Sequence, residues 1–237
     1  MKNKFGFILV KTQLGENIGA CARSMKNFGF SKLHIVSPKI NFPNHKTKAT
    51  SVGAYDIINK AKVFDNVEKA IEPFNLIIAL SARRRDINKR HISLQNFQNI
   101  IKKKKNLNIG FMFGPEASGL SNLDLSFSNY IMQIPTSSKF KSLNLSHSLT
   151  VICYEIFKLM NENKIKSNNL NLKISSKAKI ANTVEHLVSL LERKDFFTPK
   201  EKKHSMILNI NNLFYRLQSN DKELRILASI ISSLSKK

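Results

Sequence analysis

The sequence predicts an α/β protein built on a parallel sheet, for three reasons. Short runs that are apolar at almost every position, such as residues 76–80 and 109–113, are typical of strands buried on both faces. Segments with apolar residues at helical spacing alternate with these runs. The chain has 237 residues, 42% of them hydrophobic, which is enough to bury a core. No apolar run reaches the roughly 18–20 residues that a membrane-spanning helix needs.

The predicted elements alternate along residues 1–160, which we interpret as one domain. Gly29 suits the left-handed position that closes a helix, and Asn66 and Ser93 suit positions that open one. The predicted strands are 5–12, 33–38, 62–64, 75–80, 109–114 and 130–135. The predicted helices are 17–29, 51–61, 66–74, 93–105 and one beginning near residue 143.

The composition changes after residue 160. Residues 161–174 are polar, rich in Asn and without periodicity, which predicts a linker. Residues 175–237 contain three segments with apolar residues at helical spacing, which predict a small helical C-terminal extension. Pro199 fits the start of the second of these helices, and Asp221 is the expected cap of the third.

The charge balance points to a polyanionic partner. The chain has 39 Lys and Arg against 16 Asp and Glu, a net charge of +23 that is typical of proteins that bind nucleic acid. Genome-wide preference for Lys codons is an alternative explanation, but it accounts poorly for the consecutive arginines Arg83, Arg84 and Arg85. Residues 1–160 contain 24 basic and 9 acidic side chains, and residues 161–237 contain 15 and 7. Both parts are therefore basic.

The two cysteines, Cys21 and Cys153, lie far apart in apolar or helical surroundings. This pattern favours reduced thiols and a cytoplasmic location over a disulfide framework. The cysteines and the six histidines show no metal-ligand spacing, so we expect no metal.

Polar loops follow several of the predicted strands, where open parallel sheets bind their ligands. Neither a Gly-x-Gly-x-x-Gly fingerprint nor a Gly-Lys-Ser/Thr phosphate loop is present, which argues against NAD-dependent enzymes and P-loop NTPases. Gly114 and Pro115 turn the chain sharply and leave backbone polar groups unshielded. A flat purine could lie against Leu80, Ile134 and Leu143 and bond to such groups.

Three motifs resemble the signature motifs of the SpoU–TrmH class of RNA 2′-O-methyltransferases, in the SPOUT superfamily. They are NIGACARSMKNFGF (17–30), FGPEASGL (113–120) and IPTSSKFKSLNLSHSL (134–149), in the family's order. The segment SARRRD (81–86) and the C-terminal helices resemble the TrmJ branch of tRNA methyltransferases. The resemblance covers nearly the whole chain. It implies a SPOUT fold whose C-terminal part forms a deep trefoil knot, with residues 142–145 at the last crossing.

The resemblance also implies residue roles. The catalytic set of the family matches Asn17, Arg23, Glu116, Ser142 and Asn144. RNA-binding positions match Arg23, Arg83, Arg84 and Arg85. The loops that bind the methyl donor, S-adenosyl-L-methionine, match Leu80, Ser81, Ala82, Gly114, Ile134, Lys141, Ser142, Leu143, Asn144 and Leu145.

The expected reaction is 2′-O-methylation of a ribose in RNA, at a cytidine or uridine in position 32 of the tRNA anticodon loop. Arg23 stays protonated, so we interpret it as a group that binds an RNA phosphate and stabilises the developing alkoxide, and not as a base. A phosphate oxygen, Ser142 or water could take the proton. Two alternatives stay open: a catalytically silent RNA-binding protein on the same fold, and a ribosomal RNA 2′-O-methyltransferase.

The helix predicted from about residue 143 to 160 has apolar residues on more than one face, and one sheet can cover only one of them. The resemblance implies pairing through this helix and the first helix. We therefore expect a homodimer that acts on RNA, most simply tRNA, without a membrane partner.

Overall fold

The computed structural model describes residues 4–82, 88–103, 107–162 and 174–235. Its strands are β1 (Phe5–Val10), β2 (Lys32–Val36), β3 (Lys62–Phe64), β4 (Leu76–Leu80), β5 (Arg90–Ile92), β6 (Ile109–Phe113) and β7 (Tyr130–Met132). They form one sheet in the order β3-β2-β1-β6-β4-β7-β5, and every neighbouring pair is parallel. The predicted fold class, an α/β protein on a parallel sheet, is confirmed.

Helices cover both faces of this sheet. In chain order they are α1 (Gly15–Asn27), α2 (His45–Thr50), α3 (Tyr55–Lys60), α4 (Val67–Ile71), α5 (Leu94–Lys103), α6 (Asn122–Ser126), α7 (Leu145–Glu162), α8 (Lys177–Arg193), α9 (Lys203–Leu217) and α10 (Asp221–Leu234). A short 3-10 turn at Lys200–Lys202 precedes α9. Within the described residues, no helix combines the length and apolar character needed to cross a membrane.

The core divides into two layers because side chains alternate between the faces of a strand. On the first face, Phe7 and Leu9 of β1 join buried residues of α1, α3, α5 and α7. On the second face, Ile8 and Val10 join buried residues of α4 and α6 and of the C-terminal helices α8, α9 and α10. The contributions of these last three helices are Ile180, Val184, Phe214, Tyr215 and Leu224.

The C-terminal helices are thus part of the sheet's cover. Besides the apolar contacts, polar bonds tie them to the strands. Asn129 lies fully buried before β7, accepts a hydrogen bond from the Ile77 backbone N–H at 2.9 Å and donates one to the Tyr215 carbonyl oxygen. Asn75 donates to the Ile174 carbonyl oxygen at 2.8 Å. The domain limits at residues 160 and 175, like the trefoil knot, stay predictions.

Three of the predicted helix ends are confirmed. Gly29 has a φ of +75°, and the Phe30 N–H bonds back to the Met25 carbonyl oxygen at 2.8 Å. The side chain of Asn66 accepts from the Lys69 N–H at 3.0 Å at the start of α4. The Ser93 hydroxyl accepts from the Asn96 N–H at 3.1 Å, just before α5.

Other local predictions are corrected. Residues 51–61 are not one helix: α2 ends at Thr50, a turn passes through Gly53 at a φ of +73°, and α3 follows. Asn220 caps α10 by accepting from the backbone of residues 222 and 223, whereas Asp221 pairs with Lys179 at 2.5 Å. The helix predicted from about residue 143 begins at Leu145. Strand β5 and helix α6 were not predicted. The sequence of β5 is Arg-His-Ile, with a single apolar residue, and α6 has five residues of alternating polar and apolar character.

Candidate functional site

A cleft of about 640 Å³ opens at the carboxyl ends of β6, β4 and β7, which are neighbours in the sheet. Parallel strands end at the same edge, so the loops after them converge there. Nine of the ten residues expected to bind the methyl donor line the cleft. They are Leu80, Ser81, Ala82, Gly114, Ile134, Lys141, Ser142, Leu143 and Leu145. The tenth, Asn144, does not line it.

The loops after β4 and β7 are held together at the base of the cleft. The Ser81 backbone N–H donates to the Met132 carbonyl oxygen at 3.1 Å. In return, the Gln133 side chain donates to the Ala82 carbonyl oxygen at 3.1 Å. These two bonds fix one wall of the cleft in a defined shape.

The opposite wall depends on Gly114. A Cβ atom at this position would lie 2.2 Å from the Leu120 backbone nitrogen and 2.4 Å from the Gly119 carbonyl carbon. The loop of residues 114–120 therefore folds back onto its own first residue, and only glycine permits that close approach. This loop presents its backbone to the cleft, as expected for a site that recognises a ligand through backbone polar groups.

Residues of all three motifs meet in one hydrogen-bonded series beside the cleft. Asn144 donates to the Asn17 side-chain oxygen at 3.1 Å, and Asn17 donates to the Glu116 carboxylate at 2.7 Å. The second carboxylate oxygen of Glu116 accepts from the Gln13 backbone N–H at 3.0 Å. The structure thus brings together three of the expected catalytic residues, and their bonds to one another position the loops that carry them.

Asn144 also explains the unusual sequence at the start of α7. Its side-chain oxygen accepts from the Ser146 backbone N–H at 2.8 Å and from the Ser146 hydroxyl at 2.7 Å. It therefore caps the helix while its amide group reaches Asn17. The alternation of Ser, Leu and Asn reflects an extended segment that ends directly in a capped helix.

Arg23 lies elsewhere. It is on the solvent-exposed side of α1 and is not among the residues that line the cleft of its own chain. The helix itself is anchored to α7, where the Ser24 and Thr150 hydroxyl groups are 2.6 Å apart. Ser142, in contrast, is exposed and lines the cleft. The predicted RNA-binding residues Arg83, Arg84 and Arg85 lie outside the described residues.

An apolar patch lies between the C-terminal end of α1 and α7. The ring of Phe28 contacts Tyr154 at a centroid distance of 6.1 Å and Phe157 at 5.6 Å. Tyr154 is 50% exposed, and Phe28 and Phe157 are half-buried. Ile18 and Met25, the large apolar residues within α1, are buried in the core of their own chain and do not contribute to this patch.

Several cleft residues escaped the sequence analysis. Gln133, Ser138 and Lys139 line the cleft, as do Ala117, Ser118 and Gly119. The last three lie inside the second motif, so their position in the motif was an available signal. Ser138 and Lys139 likewise lie inside the third motif, whereas Gln133 lies one residue before it and had no such signal.

Within the described residues, no group of His, Cys, Asp and Glu side chains could hold a metal ion. Cys21 and Cys153 are free and buried, and desolvation raises the pKa of both thiols. Neither thiol is therefore a nucleophile at neutral pH. The chemistry available in the cleft is that of hydroxyl, amide, carboxylate and ammonium groups.

The chain is similar to known methyltransferases in sequence and in structure. The model of the SpoU rRNA Methylase family matches residues 4–154. The chain is 30% identical to the tRNA (cytidine/uridine-2'-O-)-methyltransferase TrmJ of Photorhabdus laumondii, over 100% of this chain and 98% of the relative. It is 28% identical to the enzyme of the same name from Pectobacterium atrosepticum, over 100% and 98%. The crystal structure of TrmJ from Z. mobilis ZM4 superposes with a TM-score of 0.88 at 28% identity, covering 98% of this chain and 99% of that one.

Proposed function

The chain belongs to the SpoU rRNA methylase family, and from that premise we propose that it transfers a methyl group from S-adenosylmethionine to a ribose 2′-hydroxyl of tRNA. The observation that carries the proposal is the convergence of the three motifs on one cleft. Two relatives that match along the whole chain are named tRNA (cytidine/uridine-2'-O-)-methyltransferases. The proposed target is accordingly a cytidine or uridine, at position 32 of the anticodon loop, and the proposed location is the cytoplasm.

The cleft fits the methyl donor in size and in chemistry. Its volume of about 640 Å³ is in the range typical of small-molecule and cofactor sites. Leu80, Ile134 and Leu143 provide apolar contacts for a purine, while the backbone around Gly114 and residues 141–145 provides hydrogen bonds. When bound there, the donor would present an electrophilic methyl group on a sulfonium. Every other part of the reaction falls to the chain's own residues.

Arg23 has the properties of an electrostatic catalyst. A guanidinium keeps its proton in proteins, so it cannot deprotonate the ribose hydroxyl. It can hold an RNA phosphate through two parallel hydrogen bonds and stabilise the negative charge that develops on the 2′-oxygen. Ser142, exposed in the cleft, can orient the hydroxyl. Asn17, Glu116 and Asn144 act as positioning residues in this scheme, because their polar atoms bond to one another.

The distance between Arg23 and its own cleft has a simple explanation in a homodimer. The patch of Phe28, Tyr154 and Phe157 gives two copies an apolar contact surface at the end of α1, the helix that carries Arg23. A two-fold axis through that patch would make the contact self-complementary. Arg23 of one protomer would then serve the cleft of its partner. Sedimentation at about twice the 27.0 kDa chain mass is the expected result.

The Arg23→Ala variant tests the catalytic assignment. Loss of one charge-stabilising donor lowers turnover by roughly 100–1,000-fold in comparable enzymes. Because Arg23 does not line the cleft of its own chain and is proposed to act on the RNA phosphate and the 2′-oxygen, affinity for S-adenosylmethionine should stay close to that of the unchanged protein. Transfer of a labelled methyl group to total tRNA measures the first quantity, and calorimetry the second. Unchanged turnover would remove Arg23 from the mechanism.

The same assay separates the two alternatives. Incubation with total RNA, followed by mapping of the labelled ribose, tells tRNA from ribosomal RNA as the acceptor. A catalytically silent RNA-binding protein would bind tRNA but leave no label on any RNA. Lys26→Ala, another exposed cation of α1 that is paired with Asp56, is the matched control for Arg23.

A further inference from the structure

A second cavity, of about 390 Å³, lies at the amino ends of the strands, opposite the end of the sheet that carries the cleft. It is found at the amino ends of β5 and β7, where these strands meet the C-terminal end of α9. Its lining residues are Asn88, Lys89, Arg90, Tyr130, Arg216 and Gln218. Tyr130 begins the strand that ends with Met132 in the cleft, so the two cavities lie at the two ends of β7.

The lining contains three cations and no carboxylate. Lys89 is buried, and its ammonium donates to three carbonyl oxygens: Ser126 at 2.7 Å, Ser128 at 2.6 Å and Asn212 at 3.4 Å. Each of these oxygens is neutral. Among the described residues, no carboxylate forms an ion pair with any of the three cations. The positive charge of this cavity is therefore not compensated by the part of the chain that the structure describes.

Both arginines have N–H groups that bond to none of the described residues. Nη1 of Arg216 donates to the Asn88 side-chain oxygen at 2.8 Å and to its carbonyl oxygen at 3.4 Å. Nε and Nη2 of Arg216 make no bond to the described residues, and neither does the exposed side chain of Arg90. A guanidinium with free N–H groups in a fork matches the geometry of a phosphate. Lys89 has used its donors and contributes charge alone.

The pKa of Lys89 reflects its burial first and the charge of its neighbour second. Burial and the neighbouring Arg216 guanidinium lower it to about 7. An anion in the cavity would favour the protonated ammonium again. The packing also shows why a cation is buried here at all: the ammonium joins the carbonyl end of α6 to α9, and so holds one wall of the cavity in place.

We propose that this cavity binds a backbone phosphate of the RNA substrate, with Arg90 and Arg216 as donors and Lys89 as a buried positive charge. The inference rests on the proposed function, which makes RNA the substrate. The net charge of +23 favours a polyanion over an isolated acidic group. A contact at this edge would give α9 a direct part in holding RNA, on the side of the sheet away from the methyl donor.

The test is tRNA binding by the full chain with Arg90→Gln and Arg216→Gln combined. Arg193→Gln with Arg225→Gln is the matched control, because it removes two exposed arginines of the C-terminal helices outside the cavity. We expect the cavity pair to weaken tRNA binding by about tenfold or more and to reduce the slope of log affinity against log salt by about 1 or more. The control should retain nearly unchanged affinity. Equal affinities for the two pairs would overturn the proposal.

Kinetics distinguish RNA positioning from damage to the cleft. In the cavity pair, KM for tRNA should rise by the same factor as the dissociation constant, while kcat and the affinity for S-adenosylmethionine stay unchanged. A lower kcat with unchanged KM would contradict a phosphate contact. If the unchanged protein methylates no RNA, the proposed function is wrong. The comparison of tRNA affinities still tests whether the cavity binds RNA.

Two further measurements keep the test decisive. Arg90→Gln alone removes a side chain without any bond to the described residues, so it should leave thermal unfolding unchanged and still weaken tRNA binding. Inorganic phosphate serves as the small-anion probe. If phosphate raises the unfolding temperature of the unchanged protein but not of the cavity pair, while both bind tRNA equally, the cavity holds a small anion and the RNA proposal is wrong.

Discussion

The two faces of the sheet are covered in different ways. The first face is covered by α1, α3, α5 and α7, which alternate with the strands along the chain and pack through an aromatic and aliphatic core. The second face has only the short helices α4 and α6 from this alternation, and α8, α9 and α10 complete it. Those three follow the predicted linker and are joined to the strands by polar as well as apolar contacts.

This difference separates two tasks. Helices of the first face carry Asn17, Arg23 and Asn144, so the proposed chemistry depends on them. The C-terminal helices contribute no lining residue to the cleft, but their buried side chains close the core beneath it. Changes at Asn17, Arg23 or Asn144 should therefore affect methyl transfer more than stability, and changes to the buried apolar residues of the C-terminal helices should do the reverse.

Removal of the second-face cover should have the largest effect. A chain that ends at Glu162 would expose the apolar surface now covered by Ile180, Val184, Phe214, Tyr215 and Leu224. The loss is on the order of 10 kcal/mol, which equals the whole stability of a typical domain. We expect no cooperative thermal unfolding and strong binding of a hydrophobic dye. A truncated chain that unfolds cooperatively and binds the methyl donor would show that the first face suffices.

The buried tie at Asn129 is the next test of the second face. Asn129→Leu keeps the volume but leaves the Ile77 N–H and the Tyr215 carbonyl oxygen without these partners. The expected loss of unfolding free energy is about 2–4 kcal/mol, from two buried polar groups. Urea unfolding measures it. Asn161→Leu, at an exposed position of α7, should change stability by less than about 0.5 kcal/mol.

The buried ammonium of Lys89 gives the second face a pH dependence. Its pKa falls from 10.5 to about 7 on folding, so between these values the unfolded chain holds a proton that the folded protein lacks. Stability should therefore rise with pH through this window and be flat below it. Relative to Lys89→Met, the unchanged protein should gain about 2 kcal/mol between pH 7 and 9. Identical pH profiles of urea unfolding for the two proteins would contradict a shifted Lys89.

The smallest expected effect makes the sharpest comparison, because it uses one residue type on both faces. Asn144 caps α7 and Asn220 caps α10, each accepting from backbone N–H groups at 2.8–3.0 Å. Substitution of either by Ala should cost about 1 kcal/mol and a few degrees of unfolding temperature. Only Asn144→Ala should also slow methyl transfer, because it breaks the link to Asn17. Equal activities would make Asn144 a helix cap and nothing more.

The sequence predicted the first face better than the second. Apolar runs such as residues 76–80 predict a buried strand, and these residues are all buried. The motif around Gly114 corresponds to one wall of the cleft. Nine of the ten donor-binding residues implied by the family resemblance line that cleft, because its motifs fall on the loops that follow the strands.

The second face could not be predicted in the same way. Lys89 lies in a polar segment that is typical of an exposed loop, and its burial depends on carbonyl groups about 40 and 120 residues further along the chain. The position of the C-terminal helices likewise depends on residues that are distant in the sequence. Their helical spacing predicts an apolar stripe, but which surface receives the stripe depends on the whole sheet.

The pairing of β1 with β6 at the centre of the sheet has a consequence for the newly made chain. Phe5 lies opposite Ile109, so roughly a hundred residues must be synthesised before the first strand meets one of its two neighbours. At about 5–20 residues per second, that wait lasts on the order of 5–20 s. Until then one edge of β1 is open to other chains, and the second-face residues stay uncovered until α9 and α10 emerge. The ribosome-bound chain is therefore the form most exposed to aggregation, and chaperones that shelter nascent segments should matter more for its yield than for the finished protein.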